Sequence, residues 1–227
     1  MEDAHPFVTV SSLIGEPARA RMLWSLLDGK AYTATELAFA ADISTTSASN
    51  HLGKMLEAEL LKVDVQGRHR YFSFARPEVA YAIESLAGLV EKQTKATATG
   101  SVNHGIKYCR SCYDHLAGNV GVSITEAMER KKIIRKSGKE YDITPAGWKW
   151  LANFDISTGA LKQSRRPLTR QCLDWSERKP HLAGQVGALM LADMIKKNWF
   201  RKVQFSRELI VTAKGKAGIQ RCLGLNI

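Results

Sequence analysis

The sequence predicts an α+β protein that is mainly α-helical and carries small β-hairpins. Between Thr33 and Phe74, apolar residues recur first at helical spacing and then in two β-branched or aromatic runs around Gly67. Beyond Gly105, a motif recurs at an offset of 66 residues, and a basic hairpin pattern follows each copy. These patterns indicate three parts, which are residues 1–91, a linker over 92–105 and a duplicated part over 106–227.

Two short helices around a tight turn are predicted at the start of the first stretch. Thr33-x-x-Glu36 is a capping box, which starts a helix at Thr33. The turn is predicted at Asp42-Ile43-Ser44, and Ser44 can cap a second helix. The inner side of that second helix carries apolar residues at helical spacing, namely Ala48, Leu52, Met55, Leu56 and Leu60.

The outer side of the second helix is rich in small hydroxyl and amide side chains, which are poor helix formers. Because such groups donate to and accept from base edges and phosphates, this side indicates contact with DNA. Together with one residue of the first helix, the candidate DNA-binding residues are Thr35, Ser44, Thr45, Thr46, Ser47, Ser49, Asn50, His51 and Lys54.

A β-hairpin with a basic tip is predicted next. Leu61 to Val65 and His69 to Phe74 are strand-like runs, which Gln66-Gly67-Arg68 joins. The tip residues Arg68, His69 and Arg70 are further candidate DNA contacts. Two helices, a turn and such a hairpin form the layout of a winged helix-turn-helix that reads double-stranded DNA. A helix-turn-helix used only for protein contacts is the alternative.

The chain resembles the ArsR/SmtB family of small bacterial repressors over roughly residues 8 to 95, through E-L-A-F-A-A-D-I-S-T-T-S-A-S-N-H-L-G-K-M-L-E-A-E-L-L and G-R-H-R-Y-F. The resemblance implies a homodimer whose interface is formed by the first and last helices of the domain. A dimer would place two recognition helices about one helical turn apart on a palindromic operator. The residues implied at the interface are Leu13, Val79, Ile83, Leu86 and Val90.

Two features depart from that family. Many ArsR-like metal sensors carry Cys-x-Cys just before the helix-turn-helix, where this chain has Thr33-Ala34-Thr35. Residues 84–95 also lack the Asp and His ligands of the family's zinc sites on the last helix. Metal response by the family's usual route is therefore not expected, and the part beyond residue 105 is not typical of the small family members.

The C-terminal part contains an internal repeat. His115-Leu-Ala-Gly-Asn-Val-Gly121 recurs as His181-Leu-Ala-Gly-Gln-Val-Gly187. Each copy, over about 109–155 and 172–222, is predicted as a long helix that starts at this motif, a basic hairpin and a terminal helix, similar to a winged helix without its recognition helix. Because glycines recur at helical spacing, the two long helices are expected to cross face to face there.

The excess of positive over negative charge comes entirely from this C-terminal part. Residues 1–105 contain 10 Lys and Arg against 12 Asp and Glu, whereas residues 106–227 contain 23 against 10. A basic field attracts polyanions of any sequence, so we expect contact with DNA phosphates; a solvated basic surface without a partner is the alternative. The candidate contacts lie at the two hairpins and are Arg135, Lys136, Lys139, Arg201, Lys202 and Arg207.

Cysteine and histidine residues in this part suggest a metal site or a thiol switch. If the long helices cross near their starts, three thiols and two imidazoles could converge on zinc or another thiophilic metal ion. Vicinal thiols beside Lys107 and Arg110 could instead act as a redox switch, and simple burial is the third reading. At the fixed offset, no cysteine is repeated. The candidate ligands are Cys109, Cys112, His115, Cys172 and His181.

Composition limits the class of protein. No apolar run approaches the length of a membrane span, and the segment 1–7 lacks the features of a secretory signal, so a cytoplasmic, nucleoid-associated bacterial protein with reduced thiols is expected. No phosphate loop, nucleophile elbow or HExxH motif indicates an enzyme. The sequence thus predicts a dimeric repressor under metal or thiol control, with a nucleoid-type architectural DNA-binding protein as the alternative.

Overall fold

The computed structural model of the chain describes residues 5–87, 89, 105–157, 159, 161, 166–203 and 206–227. It contains two compact units, Met1–Ala87 and Gly88–Ile227. Helices and small antiparallel sheets make up both units, as the α+β prediction required. The expected linker over 92–105 lies outside the described residues except for Gly105.

The N-terminal unit is a winged helix-turn-helix. One antiparallel sheet of order β1-β3-β2 accompanies its helices. The elements in chain order are α1 (Pro6–Gly15), α2 (Pro17–Ser25), β1 (Tyr32–Thr33), α3 (Ala34–Ala41), α4 (Thr45–Glu57), β2 (Leu61–Gln66), β3 (His69–Phe74) and α5 (Pro77–Ala87).

Local capping fixes the helix-turn-helix, and the predicted helix starts are confirmed. Thr33 and Glu36 form both halves of a capping box at the start of α3. Asp42 takes a left-handed conformation that ends α3, and the Ser44 side chain accepts from the Ser47 amide to start α4. Beneath the turn lies a buried apolar core that includes Met22, Leu23, Leu26, Leu37, Ala38, Ala41, Ala48, Leu52 and Met55.

The wing is the predicted hairpin with one added strand. Strands β2 and β3 pair from Leu61 opposite Phe74 to Gln66 opposite His69. Gly67 has a φ of +60°, which suits glycine at the turn. The two residues of β1 were not predicted as a strand, because only their pairing with β3 defines one.

The C-terminal unit contains two copies of one element order: a short hairpin, a helix, a wing hairpin and a terminal helix. The first copy consists of β4 (Arg110–Cys112), β5 (His115–Ala117), α6 (Gly118–Arg130), β6 (Ile134–Ser137), β7 (Glu140–Ile143) and α7 (Pro145–Leu151). The second consists of β8 (Arg170–Leu173), β9 (Pro180–Ala183), α8 (Gly184–Lys196), β10 (Phe200–Lys202), β11 (Leu209–Val211) and α9 (Ala213–Leu223).

The two copies pack reciprocally around one core. Helix α6 contacts β9 of the other copy, and α8 contacts β5. The backbone amide of Ser111 donates to the Arg207 carbonyl, and that of Gln171 donates to the Lys139 carbonyl, so each short hairpin lies against the wing of the other copy. Neither copy therefore has a closed core of its own. The shared core includes Val120, Ile124, Met128, Val186, Met190 and Met194.

The long helix starts within the repeated motif, as predicted, but at Gly118 and not at His115, so the prediction was wrong for the first three residues of the motif. His115–Ala117 is a strand, and Gly118 begins α6 with a φ of +77°. A Cβ on Gly121 would lie 2.7 Å from the Leu116 carbonyl oxygen, and one on Gly187 would lie 2.5 Å from that of Leu182. The glycines therefore allow each helix to turn back against its own strand, and they do not mark a crossing of α6 with α8.

Candidate nucleic-acid interface and buried cysteine–histidine cluster

The outer side of α4 is a solvent-facing polar surface. Ser47 is half-buried, whereas Ser44, Thr45, Thr46, Ser49, Asn50 and Lys54 are exposed, as is Thr35 on α3. The Ser49 hydroxyl donates to the Thr45 carbonyl at 2.9 Å, which leaves the lone pairs of its oxygen directed outward. The predicted face thus presents short donors and acceptors that can approach a groove of DNA.

His51 differs from the other predicted contacts because it packs against α2. Its Nδ1 lies 3.2 Å from Nη1 of Arg19 and 3.6 Å from Oε2 of Glu16. Arg19 in turn donates from Nε to the Leu13 carbonyl at 2.6 Å. His51 is therefore placed to hold α4 against α1 and α2.

The tip of the N-terminal wing carries three exposed basic residues, Arg68, His69 and Arg70. The Arg70 guanidinium lies 5.6 Å from the centre of the Phe72 ring, which limits its range of orientations. Since β2 and β3 hold the tip at the end of a paired ladder, the wing presents these three side chains as one group.

Three of the residues implied at a dimer interface are buried within one copy of the chain, namely Leu13, Val79 and Ile83. Val90 lies outside the described residues, and Leu86 is 45% exposed. Among the exposed apolar side chains of the unit, Phe7 and Val8 lie on α1 and Leu86 lies on α5, whereas Trp24, Phe39 and Val65 lie elsewhere. Leu13, Val79 and Ile83 are therefore removed from the implied dimer interface, because their side chains already pack inside the unit.

The wings of the C-terminal unit are basic and exposed at Arg135, Lys136, Lys139, Arg201 and Lys202. Arg135 pairs with Asp142 and Lys136 pairs with Glu129, each at 3.4 Å. Arg207 does not belong to this set. It is only 4% exposed, because it lies where the β4–β5 hairpin meets the other copy's wing.

Four of the five predicted ligands converge inside the C-terminal unit. The ligand atoms of Cys112, His115, Cys172 and His181 all lie within 4.8 Å of one another. The two Sγ atoms are 3.9 Å apart, and the two Nε2 atoms are 3.1 Å apart. We call these four residues the Cys–His cluster.

Cys109 lies outside the cluster, contrary to the sequence prediction. It is fully buried in the apolar core, and burial raises the pKa of its thiol. Its carbonyl accepts from the Leu209 amide, which directs the residue toward the β10–β11 wing. Cys222 is half-buried on α9 and is also outside the cluster.

The expectation that no cysteine is repeated was also wrong. Strand register pairs Cys112 with His115 across β4–β5, and it pairs Cys172 with His181 across β8–β9. The two cysteines are therefore equivalent. The equivalence of Cys112 and Cys172 is not visible at the fixed offset of 66, because two residues separate Cys112 from His115, whereas eight separate Cys172 from His181.

Each histidine of the cluster lies next to a carboxylate, and an arginine from elsewhere in the C-terminal unit pairs with that carboxylate. Nδ1 of His115 lies 3.3 Å from Asp114, whose carboxylate accepts two bonds from Arg166 at 2.6 and 2.9 Å. Nδ1 of His181 lies 3.6 Å from Asp174.

Asp174 is held by the most buried ion pair of this site. Nη2 of Arg110 donates to it at 2.8 Å, the Gly118 amide donates at 2.7 Å, and both charged side chains have no exposed surface. Sequence reasoning missed these carboxylates and arginines. The adjacency of Asp114 to His115 was the available signal.

The protonation states in the cluster follow from these contacts. Burial opposes the imidazolium form of His115, but the hydrogen bonds with Asp114 and Cys172 raise its pKa to about 9. The hydrogen bond from Cys112, opposed by burial, lowers the pKa of Cys172 well below its ordinary value, and both histidines lower it further. The cluster therefore favours a thiolate at Cys172.

The N-terminal unit and the full chain each have known relatives. A family model described as a helix-turn-helix domain matches residues 14–64. Over 219 residues, the chain is 35% identical to YdfF of Bacillus subtilis (strain 168), an uncharacterized HTH-type transcriptional regulator, and the match covers 96% of this chain and 97% of that protein.

Solved structures match little more than a third of the chain. HlyU from Vibrio cholerae N16961 is 22% identical, with a TM-score of 0.34, over 36% of this chain and 87% of its own. The transcriptional repressor PagR of Bacillus anthracis is 26% identical, with a TM-score of 0.33, over 36% of this chain and 92% of its own.

In the parts of the chain that the structure describes, no helix has both the length and the apolar character needed to cross a membrane. The capped helix-turn-helix and its wing agree with the matched domain, and the similarity to YdfF extends over both units. The chain therefore belongs to the HTH-type transcriptional regulators.

Proposed function

We propose that the protein is a dimeric repressor of the ArsR/SmtB type that binds a palindromic operator. The observation that carries the proposal is the polar outer face of α4, exposed beside the basic wing tip at Arg68, His69 and Arg70. Short hydroxyl and amide groups at a helix surface suit base edges in the major groove, while the wing cations suit phosphates. The resemblance of residues 8 to 95 to small repressors supports the repressing role.

Dimerisation through α1 and α5 is part of this proposal. Phe7 and Val8 are 73% and 55% exposed, and Leu86 and Leu89 are 45% and 77% exposed. Phe7, Val8 and Leu86 lie on the first and last helices of the N-terminal unit, and exposed large apolar side chains are the kind of surface that a second copy covers. Phe7→Asp with Leu86→Asp should convert a dimer to a monomer in analytical ultracentrifugation, and a dimer that persists would exclude this interface.

The α4 face is tested by replacing Thr46, Ser49 and Asn50 with Ala. We expect operator affinity to fall toward that for random DNA, because each lost base contact costs about 1–3 kcal/mol. Affinity for random DNA should change little. The matched control is Glu57→Ala, an exposed residue at the end of the same helix.

Equal loss of affinity on both DNAs would contradict the assignment of α4 as the recognition helix.

The excess of 23 Lys and Arg over 10 Asp and Glu in residues 106–227 favours a second candidate, an architectural DNA-binding protein. Such a protein would show no preference, whereas a specific regulator prefers its operator by about 10³-fold or more.

We further propose that chemistry at the Cys–His cluster controls operator binding. The cluster joins both copies of the C-terminal unit, so a change there alters how the two basic wings are held. Operator affinity measured before and after treatment with a chelator, and separately with a thiol oxidant, tests this. An affinity that neither treatment changes would exclude control through the cluster.

A further inference from the structure

We propose that the Cys–His cluster binds one Zn²⁺ ion, with Cys112, His115, Cys172 and His181 as its four ligands. The inference concerns metal binding alone and does not depend on whether the protein binds an operator. The site would link the two copies of the C-terminal unit, since each copy supplies one thiol and one imidazole.

The spacing of the ligand atoms fits a tetrahedral ion. Zn–S bonds of about 2.3 Å and Zn–N bonds of about 2.0–2.1 Å place the two sulfurs of a tetrahedron about 3.8 Å apart and the two nitrogens about 3.3 Å apart. The Sγ atoms of Cys112 and Cys172 are 3.9 Å apart. The Nε2 atoms of His115 and His181 are 3.1 Å apart. Both pairs therefore have the separation that one ion at the centre requires.

The two imidazoles are oriented as metal ligands. Each turns Nδ1 toward a carboxylate, at 3.3 Å for His115 and Asp114 and at 3.6 Å for His181 and Asp174. With Nδ1 on the carboxylate side, Nε2 is the ring nitrogen left to bind a metal ion. The two Nε2 atoms face each other at 3.1 Å, and a metal ion that replaces the proton between them can bind both. A carboxylate behind each histidine is the usual support of a zinc ligand.

Charge and burial favour a divalent ion of moderate softness. Two thiolates neutralise Zn²⁺ while neutral imidazoles add no charge, so the loaded site has no net charge in a buried location. Cys112, His115 and His181 have no exposed surface, and Cys172 is half-buried. Two sulfur and two nitrogen ligands in a tetrahedron select zinc over hard ions such as Mg²⁺ and Ca²⁺.

Backbone pairing and buried ion pairs position the four ligands. In each short hairpin the cysteine and histidine are directly paired across the two strands. The carboxylates next to the histidines are anchored by Arg110 of the first copy, which pairs with Asp174, and by Arg166, which precedes β8 and pairs with Asp114. Closed coordination by four protein ligands is typical of a structural zinc site.

Cobalt substitution of the full-length protein tests the site directly. Reduced protein freed of metal by a chelator is titrated with Co²⁺ and then with Zn²⁺. We expect one Co²⁺ per chain, the visible bands of tetrahedral Co²⁺, and a thiolate-to-cobalt charge-transfer band with the intensity of two thiolates. Zn²⁺ should remove these bands and raise the thermal unfolding midpoint.

Variants separate the four ligands from the other thiols. Cys112→Ser and His181→Gln should each weaken Co²⁺ binding by at least about tenfold, the lower bound seen for loss of supporting groups alone. Cys222→Ser, which removes a half-buried thiol outside the cluster, should bind as the unchanged protein does. Cys172→His keeps four ligands and should retain the tetrahedral bands with half the charge-transfer intensity.

The wild-type titration keeps the proposal testable even if a ligand variant fails to fold. Absence of Co²⁺ binding, an octahedral spectrum, or a charge-transfer intensity of one or three thiolates would overturn the proposal. Formation of a Cys112–Cys172 disulfide in protein that binds no metal would likewise overturn it, and would assign the cluster to thiol chemistry. Loss of binding in Cys222→Ser would place the ion elsewhere.

Discussion

Arg110 and Asp174 form a fully buried ion pair at 2.8 Å beside the Cys–His cluster. Asp174→Asn removes the charge that compensates the guanidinium, and breaking a buried pair in this way destabilises a protein by about 3–5 kcal/mol. We expect a loss of this size in the free energy of urea unfolding. Asp142→Asn breaks the exposed pair with Arg135 and should change the same quantity by less than about 1 kcal/mol. Equal effects of the two substitutions would contradict the role given to Asp174.

Glu16 should make the stability of the folded state depend on pH. Burial opposes the charged form, but hydrogen bonds from the Arg19 and Ala18 amides and the charges of His51 and Arg19 lower the pKa of Glu16. A carboxylate with a lowered pKa stabilises the folded state above its unfolded pKa of about 4.3, and this contribution is lost as the pH falls through the folded value. Thermal unfolding between pH 6 and 3 should therefore show a smaller loss for Glu16→Gln than for the unchanged protein. Parallel curves would mean that Glu16 does not contribute.

The starts of α6 and α8 depend on glycine. Gly184 has a φ of +84°, and a Cβ there would lie 2.8 Å from the Thr169 Cα, so Gly184→Ala should destabilise the protein by about 1–3 kcal/mol. Gly53 lies within α4 with nothing within 4 Å of an added Cβ. Gly53→Ala should therefore stabilise the protein by up to about 1 kcal/mol. Urea unfolding of both variants measures the contrast, and a stabilising Gly184→Ala would contradict the turn assigned to that motif.

Elements set by local contacts could be predicted from the sequence, and elements set by distant pairing could not. Thr33 and Ser44 cap helices through bonds to residues three positions away, so the helix-turn-helix can be predicted directly. Strand β4 is three residues long and gains its neighbours from β5 and from the wing at Glu208. Only part of the Cys–His cluster could be predicted, because its composition also depends on distant strand pairing. Its residues were recognised by type, but the exclusion of Cys109 follows only from strand register.

At the scale of the whole chain, the separation of charge raises the question of what attracts DNA. The N-terminal unit presents the polar face of α4, while the basic excess belongs to the part beyond residue 105. In the wings of that part, Arg135 and Lys136 already pair with carboxylates. Lys139, Arg201 and Lys202 are exposed on the same wings, so they are better suited than Arg135 and Lys136 to a test of phosphate contact.

Replacing Lys139, Arg201 and Lys202 with Gln should flatten the salt dependence of DNA binding. Each phosphate contact contributes about 0.9 to the slope of log affinity against log salt, so three lost contacts should lower its magnitude by about 2.7. The matched control replaces Lys149, Lys214 and Lys216 with Gln, which removes the same charge from exposed positions on α7 and α9. Because both variants have the same net charge, a slope that falls equally in both would indicate a diffuse field. A slope that falls only in the wing variant would assign the phosphate contacts to the two wings, while preference for operator over random DNA stays a property of α4.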